Sequence, residues 1–289
     1  MLPFRDSALL TLAFFESLEL APTKDEFLDY LFFYAGQKDE ALLTLISDEI
    51  TQKDGFITFK DRLELIELPK KKLEISRQLI GKAKRWKWIS SITPWIKLVC
   101  VCNNAAFGNA TEKSDIDLFI ITRKDRLFLA RTWITFLTHI FGLRRHHNKI
   151  SGRFCLSFFA SEGNLDFSSL QIEKQKDFYL AFWITSLRPI YEKENIFARF
   201  LERNSDWLLP YFPSLKFSNE SSDASPIRAS HLMDQIEEFV SKYQLRRAEE
   251  KRKLLPFPEG TILQKTLLKF HDRDRRNELQ KQCFDRVKK

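Results

Sequence analysis

Two nearly continuous apolar runs, Ile96-Lys-Leu-Val-Cys-Val-Cys102 and Leu118-Phe-Ile-Ile-Thr122, lie close together along the chain, separated by a short polar stretch. Runs of this length without a helical period are the pattern of buried strands. A covered sheet is therefore the frame into which the rest of the chain must fit. Glycine limits what that sheet can carry. Only 8 of the 289 residues are Gly, and the chain has neither a P-loop nor a Gly-x-Gly-x-x-Gly fingerprint, so two common ways of cradling phosphate are excluded. With 44% apolar and 30% charged residues, the chain can bury a sizeable core and is not of the disordered class. The four cysteines include no Cys-x-x-Cys. Their spacing points to reduced thiols in a cytosolic protein, not to a disulfide framework or a zinc motif.

Around this frame the sequence divides into segments. Residues 5–18 read as a helix, and Thr23 with Glu26 is a capping-box signature that opens a second helix to about residue 34. A third helix is expected over residues 38–51, followed by the tight turn Asp54-Gly55 and the run Phe56-Ile-Thr-Phe59. Three helices and a hairpin make residues 1–69 resemble a winged-helix head. DNA binding by its third helix is disfavoured, because Asp39, Glu40, Asp48 and Glu49 sit where a phosphate-facing helix should be basic.

Residues 70–91 read as one basic connecting helix, net +7 against net −8 for the head, which predicts that the two are oriented by charge complementarity. Residues 92–213 hold strands at 96–102, 114–122 and 153–160 and helices at 124–143, 173–187 and 193–208, with Phe128, Trp133 and Phe136 read as core. Residues 214–230, rich in Ser, read as a linker or loop. The basic C-terminal region, 231–289, is expected to be helical over 231–253, 261–269 and 273–287. The best membrane candidate, residues 127–143, carries Arg131 and His139 and reads as a core helix. No membrane partner is expected, and without an export signal the expected location is the cytoplasm.

The segment with the most chemistry is Asp115-Ile116-Asp117 at the entry of the second buried strand. Strand period two places both carboxylates on one face. Clustered carboxylate oxygens suit a hard divalent cation such as Mg²⁺, which can bridge to substrate phosphates. The loop from the preceding strand offers backbone N–H groups to an anion.

Strand, small polar loop, then Ser114-Asp-Ile-Asp-Leu118 resembles the polymerase beta-like nucleotidyltransferase superfamily. The similarity extends to uncharacterised bacterial proteins with a winged-helix-like head, through a helix like residues 126–143, Gly142-Leu-Arg-Arg145, the strand Phe154-Cys-Leu and Phe270-His271. The resemblance implies an α+β fold with a small mixed sheet flanked by helices. It implies two Mg²⁺ held by Asp115 and Asp117, and an NTP as substrate. The transfer it implies moves an NMP to a hydroxyl acceptor (protein, RNA or small molecule), with release of pyrophosphate. By position, Ser114, Gly108, Asn103 and Asn104 would form the nucleotide-binding loop.

Two departures keep a second reading open. The family's Gly-Ser pair aligns with Asn103-Asn104; Asn104 can donate to phosphate, but Asn103 lacks the backbone freedom of Gly. The family's third carboxylate has no counterpart in residues 153–160, which leaves Glu162 just beyond as the candidate, with Asp166 further on. Arg144 and Arg145 read as cations suited to a helix C-terminus. The alternative is a catalytically degenerate protein of this fold that binds a nucleotide, nucleic acid or protein partner.

Overall fold

The N-terminal residues form α1 (Phe4–Ser17) and, after a break, α2 (Lys24–Asp29). The capping box is present: the Glu26 amide donates to Thr23 Oγ1 at 3.2 Å, and the Thr23 amide donates to the Glu26 carboxylate at 3.0 Å. α2 ends at Asp29, short of residue 34. Asp54-Gly55 turns the hairpin of β1 (Ile50–Lys53) and β2 (Phe56–Phe59), with positive φ at both turn residues, 53° and 83°. The computed structural model describes residues 1–36, 49–67, 69–146, 148–172, 177–215, 231–270 and 273–288. Most of the helix expected over 38–51, and most of the linker expected over 214–230, lie outside the described residues. Ile50 and Thr51, expected to end that helix, belong to β1.

The basic connector is two helices, not one. α3 (Pro69–Arg85) and α4 (Lys87–Ile92) are separated at Trp86. Lys70 meets Asp54 of the head at 3.3 Å, an exposed ion pair worth at most about 1 kcal/mol. Lys71 turns elsewhere, to Glu112 at 2.8 Å.

The two apolar runs become the antiparallel neighbours β3 (Ile96–Val101) and β4 (Ile116–Thr122), joined through the single turn α5 (Asn103–Ala106). The helix α6 (Leu127–Ile140) then crosses over to β5 (Phe154–Ser161), which pairs parallel to β4. Next come α7 (Phe178–Thr185), β6 (Arg188–Glu192) and α8 (Ile196–Leu208). The C-terminal region supplies α9 (His231–Arg252), β7 (Thr261–Leu263), β8 (Leu267–Phe270) and α10 (Arg276–Val287). The fold is α+β, with a mixed six-stranded sheet in the order β6-β3-β4-β5-β8-β7.

Residues 261–269 are a hairpin, not a helix, because β8 adds to the edge of β5 with Leu268 opposite Phe159. The strand β6 has no sequence counterpart in the expected elements. It contains Pro189, which a sheet tolerates because β6 lies at an edge.

Strand alternation sorts the core into two layers. Leu98, Cys100, Phe119, Ile121 and Phe158 face one side, where they meet Phe14, Phe27 and Phe32 of the head, Phe182 and Trp183 of α7, Phe200 of α8 and Cys283 of α10. Val99, Val101, Leu118, Ile120 and Phe159 face the other side, against Ala83, Ile89, Phe128 and Ile134. The head thus shares one continuous apolar core with the sheet. Phe128 is core as expected, but Trp133 and Phe136 are 44% and 53% exposed, since α6 turns that flank to solvent. Among the described residues, no helix is long and apolar enough to cross a membrane.

The start of α6 is capped from a distant helix. The amides of Phe128 and Leu129 donate to the two oxygens of Glu237 on α9 at 2.8 and 2.9 Å, satisfying donors that a helix start leaves orphaned. Burial still holds the Glu237 carboxyl above the usual carboxylate range, against those two amides. A raised folded value means that ionised Glu237 is a cost to the fold, present above that value and absent below the unfolded one. Relative to Glu237→Gln, the native protein should therefore gain stability as pH falls from about 7 to about 4. Urea unfolding at several pH values checks this; a pH-independent difference would refute it.

Candidate functional site

β4 and β5 run parallel, so both strands begin at the same end of the sheet. Asp117 on β4 pairs with Cys155 on β5, and Asp115 lies two residues earlier on the same face. Ligating atoms of Asp115, Asp117 and Cys155 all lie within 4.8 Å of one another. The Cys155 thiol hydrogen-bonds to the Asp117 carboxylate. Arg145 donates to Asp115 Oδ2 at 2.8 Å and reaches the Cys155 sulfur at 3.9 Å. Arg145 is therefore part of the site and not merely a helix-end cation, because the chain after α6 folds back on β5, with the Arg145 amide donating to the Phe154 carbonyl at 3.0 Å.

The loop residue Asn103 reaches the same cluster. Its Nδ2 donates to Asp117 Oδ2 at 3.0 Å, and its Oδ1 accepts from Trp183 Nε1 on α7 at 2.8 Å. Asn103 adopts φ 55°, the left-handed conformation that glycine takes freely. Asn tolerates this region better than most residues, so the lack of a glycine does not prevent the turn. Replacing Asn103 with Ala should cost about 2–4 kcal/mol, from a strained φ, the loss of one hydrogen bond to Asp117 and the loss of the Trp183 indole's acceptor. Asn103→Gly should recover about 1 kcal/mol of that. Denaturant unfolding of the two variants checks the difference; equal losses would count against the strain.

Burial raises both carboxyls above their ordinary range. For Asp115 the neighbouring Asp117 charge adds to the effect and Arg145 opposes it. For Asp117 the hydrogen bonds from Asn103 and Cys155 oppose it. The Cys155 thiol is pushed up to about 12 by burial and by the Asp117 charge. Two carboxylates this close favour a bound cation, which would relieve both burial and repulsion.

Beside Asn103 a cleft of about 370 Å³ opens between α5, α7 and the C-terminal segment, lined by Asn104, Phe107, Tyr179, Trp183, Lys269 and Arg273 among others. The other expected loop residues sit differently. Gly108, at φ 79°, packs under α3, and a Cβ there would meet Leu73 at 2.7 Å, so its smallness serves packing. Ser114 Oγ accepts from the Thr111 amide at 2.9 Å and closes the turn before β4. Glu162 is not brought to the cluster. It follows β5 at the far end of the strands, where Thr122 pairs with Ser161, and it accepts from the Lys124 amide at 3.0 Å. There it lines a separate cavity of about 710 Å³ with Arg123, Lys124 and Arg199. Asp166 accepts locally from the Ser168 amide at 2.8 Å.

Sequence reasoning missed Cys155, Arg145 and Trp183. A signal for Cys155 was present: a helix crossing between two apolar strands implies parallel pairing, which brings the strand starts, and so Asp117 and Cys155, together. Among the described residues, no third carboxylate joins the group. Two carboxylates with waters and substrate phosphates are a usual Mg²⁺ set, and the Cys155 thiol places a softer third donor beside them. The chain matches no protein family, no curated protein and no solved structure.

Proposed function

We propose that this chain is a divalent-cation-dependent nucleotidyltransferase of the polymerase beta-like kind, preceded by a winged-helix-like head and acting in the cytoplasm. The carrying observation is the convergence of Asp115 and Asp117 at the strand starts, beside a cleft with both aromatic and cationic walls. A bound divalent cation would neutralise phosphate charge as the acceptor hydroxyl attacks the α-phosphorus and pyrophosphate leaves.

The chain's own residues do the rest. Asp115 and Asp117 hold the cation. Asn103, fixed by Trp183, orients the Asp117 carboxylate. Phe107 and Tyr179 in the cleft offer faces for a base, and Lys269 and Arg273 offer charge to phosphates. The test is NTP consumption and self-labelling with divalent cations, comparing the native protein with Asp117→Asn. Activity lost in the variant supports transfer; equal signals overturn it.

The second reading, a binding protein without turnover, is favoured by one observation. Arg145 already places a guanidinium on Asp115 where a cation would act. On that reading, NTP binds in the cleft and the native protein consumes none.

A further inference from the structure

We infer that the ion selected at the strand starts is a thiophilic one of the Zn²⁺ class, held by Asp115, Asp117 and Cys155 with one position left open. This rests on the divalent-cation reading above and adds the identity of the ion and its third ligand. Three protein ligands and an open position are the usual make-up of a catalytic zinc site, in which a substrate oxygen completes the coordination.

The donor set carries the argument. A thiolate is a soft ligand that favours Zn²⁺ and its neighbours over Mg²⁺, whereas two carboxylates alone would leave Mg²⁺ competitive. Ligands on one tetrahedral ion lie roughly 3.5 Å apart. The three donors already lie within 4.8 Å of one another, so small side-chain rotations close the set. Register, and not chance proximity, puts the sulfur there, since Cys155 is the direct partner of Asp117 across parallel strands. Of the four cysteines, Cys155 alone is not buried.

The supporting shell is also in place. Asn103, held by Trp183, fixes the Asp117 carboxylate, the kind of outer contact that orients metal ligands. Arg145, paired with Asp115 at 2.8 Å, is the group that must yield, and its side chain is 47% exposed. On binding, the Cys155 thiol would give up its proton to solvent and ligate as the thiolate.

The experiment titrates Co²⁺ into the metal-free, fully reduced, full-length protein and follows the sulfur-to-cobalt charge-transfer absorption. The native protein should show that band with the intense visible bands of a four-coordinate ion. Micromolar Zn²⁺ should displace Co²⁺, and millimolar Mg²⁺ should not. Cys155→Ser should lose the charge-transfer band and weaken Zn²⁺ binding by about 100-fold, while Cys283→Ser, a buried cysteine outside the cluster, should keep both. Cys155→Asp should lose the band and gain Mg²⁺ binding, which keeps the test informative if the serine variant folds poorly.

A band that survives in Cys155→Ser, or Mg²⁺ that displaces Co²⁺ from the native protein, would overturn the inference. Mg²⁺ binding that depends on Asp117 without any charge-transfer band removes the thiol ligand but leaves the divalent-cation reading standing. If neither ion binds, both fall.

Discussion

Asp117→Asn is expected to lower nucleotide turnover by about a hundredfold or more while leaving the fold intact. Asparagine keeps the shape of aspartate and can still accept from Asn103 Nδ2. What it loses is the charge that would hold a cation at the strand starts. In the metal-free protein that charge is itself a burden, because Asp115 and Asp117 are partly buried side by side and both carboxyls sit above their usual range. The variant should therefore match or exceed the native Tm in the presence of a chelator. Added divalent cation should raise the Tm of the native protein and leave the variant unmoved, since only a state that binds the ligand is stabilised by it. Turnover at the native rate would sink the catalytic reading, and a variant unfolded in chelator would sink the electrostatic account.

Arg276→Met is expected to be the most damaging single change away from the site, at about 3–5 kcal/mol. The Arg276 guanidinium joins three segments. It donates to Asp177 at 2.6 Å, to the Leu170 carbonyl at 2.8 Å and to Asp274 at 2.6 Å. Asp177 is fully buried and also caps α7 by accepting from the Leu180 amide at 2.9 Å. Methionine fills the same volume but leaves that carboxylate charged, buried and without its cation. Asp177→Asn removes the charge, keeps an oxygen for the cap and should cost less. The double variant should then lose less than the two single losses combined, because the stranded charge is gone. Urea unfolding of the four proteins measures this; additive losses would show that the pair does not interact as the geometry implies.

Features of this molecule that depend on neighbours in sequence were legible, and those that depend on distant pairing were not. Thr23 and Glu26 are three residues apart and make their capping box from their own side chains. Asp54-Gly55 turns a hairpin wherever it stands between strand residues. The Asp pair was legible because its two members flank Ile116, the first residue of one strand, two positions apart. By contrast, Thr261-Ile-Leu263 and Leu267-Leu-Lys-Phe270 have no glycine or asparagine at their turn, and they are strands only because the edge of β5 is there to receive them. Arg145 looked like a helix-end charge until the return of the chain onto Phe154 carried it to Asp115, 30 positions away in sequence. Nearness to the end of its strand points to Glu162, but a strand has two ends, and parallel pairing puts Glu162 at the one away from the Asp pair. Trp133 and Phe136 show the limit of composition, since aromatic character alone did not say which flank of α6 would be covered.

The packing of α10 on α1 has a consequence for how the protein is made. Ser17 and Cys283 touch at 3.7 Å but are 266 positions apart, and Arg286 sits over Phe59 at 4.2 Å while pairing with Glu16. At about 5–20 residues per second, a ribosome needs roughly 13–50 s to deliver the second partner after the first. For that interval the apolar flank of α1 that α10 will cover waits in the open on a growing chain. α1 is thus sealed on that flank only after α10 has been made.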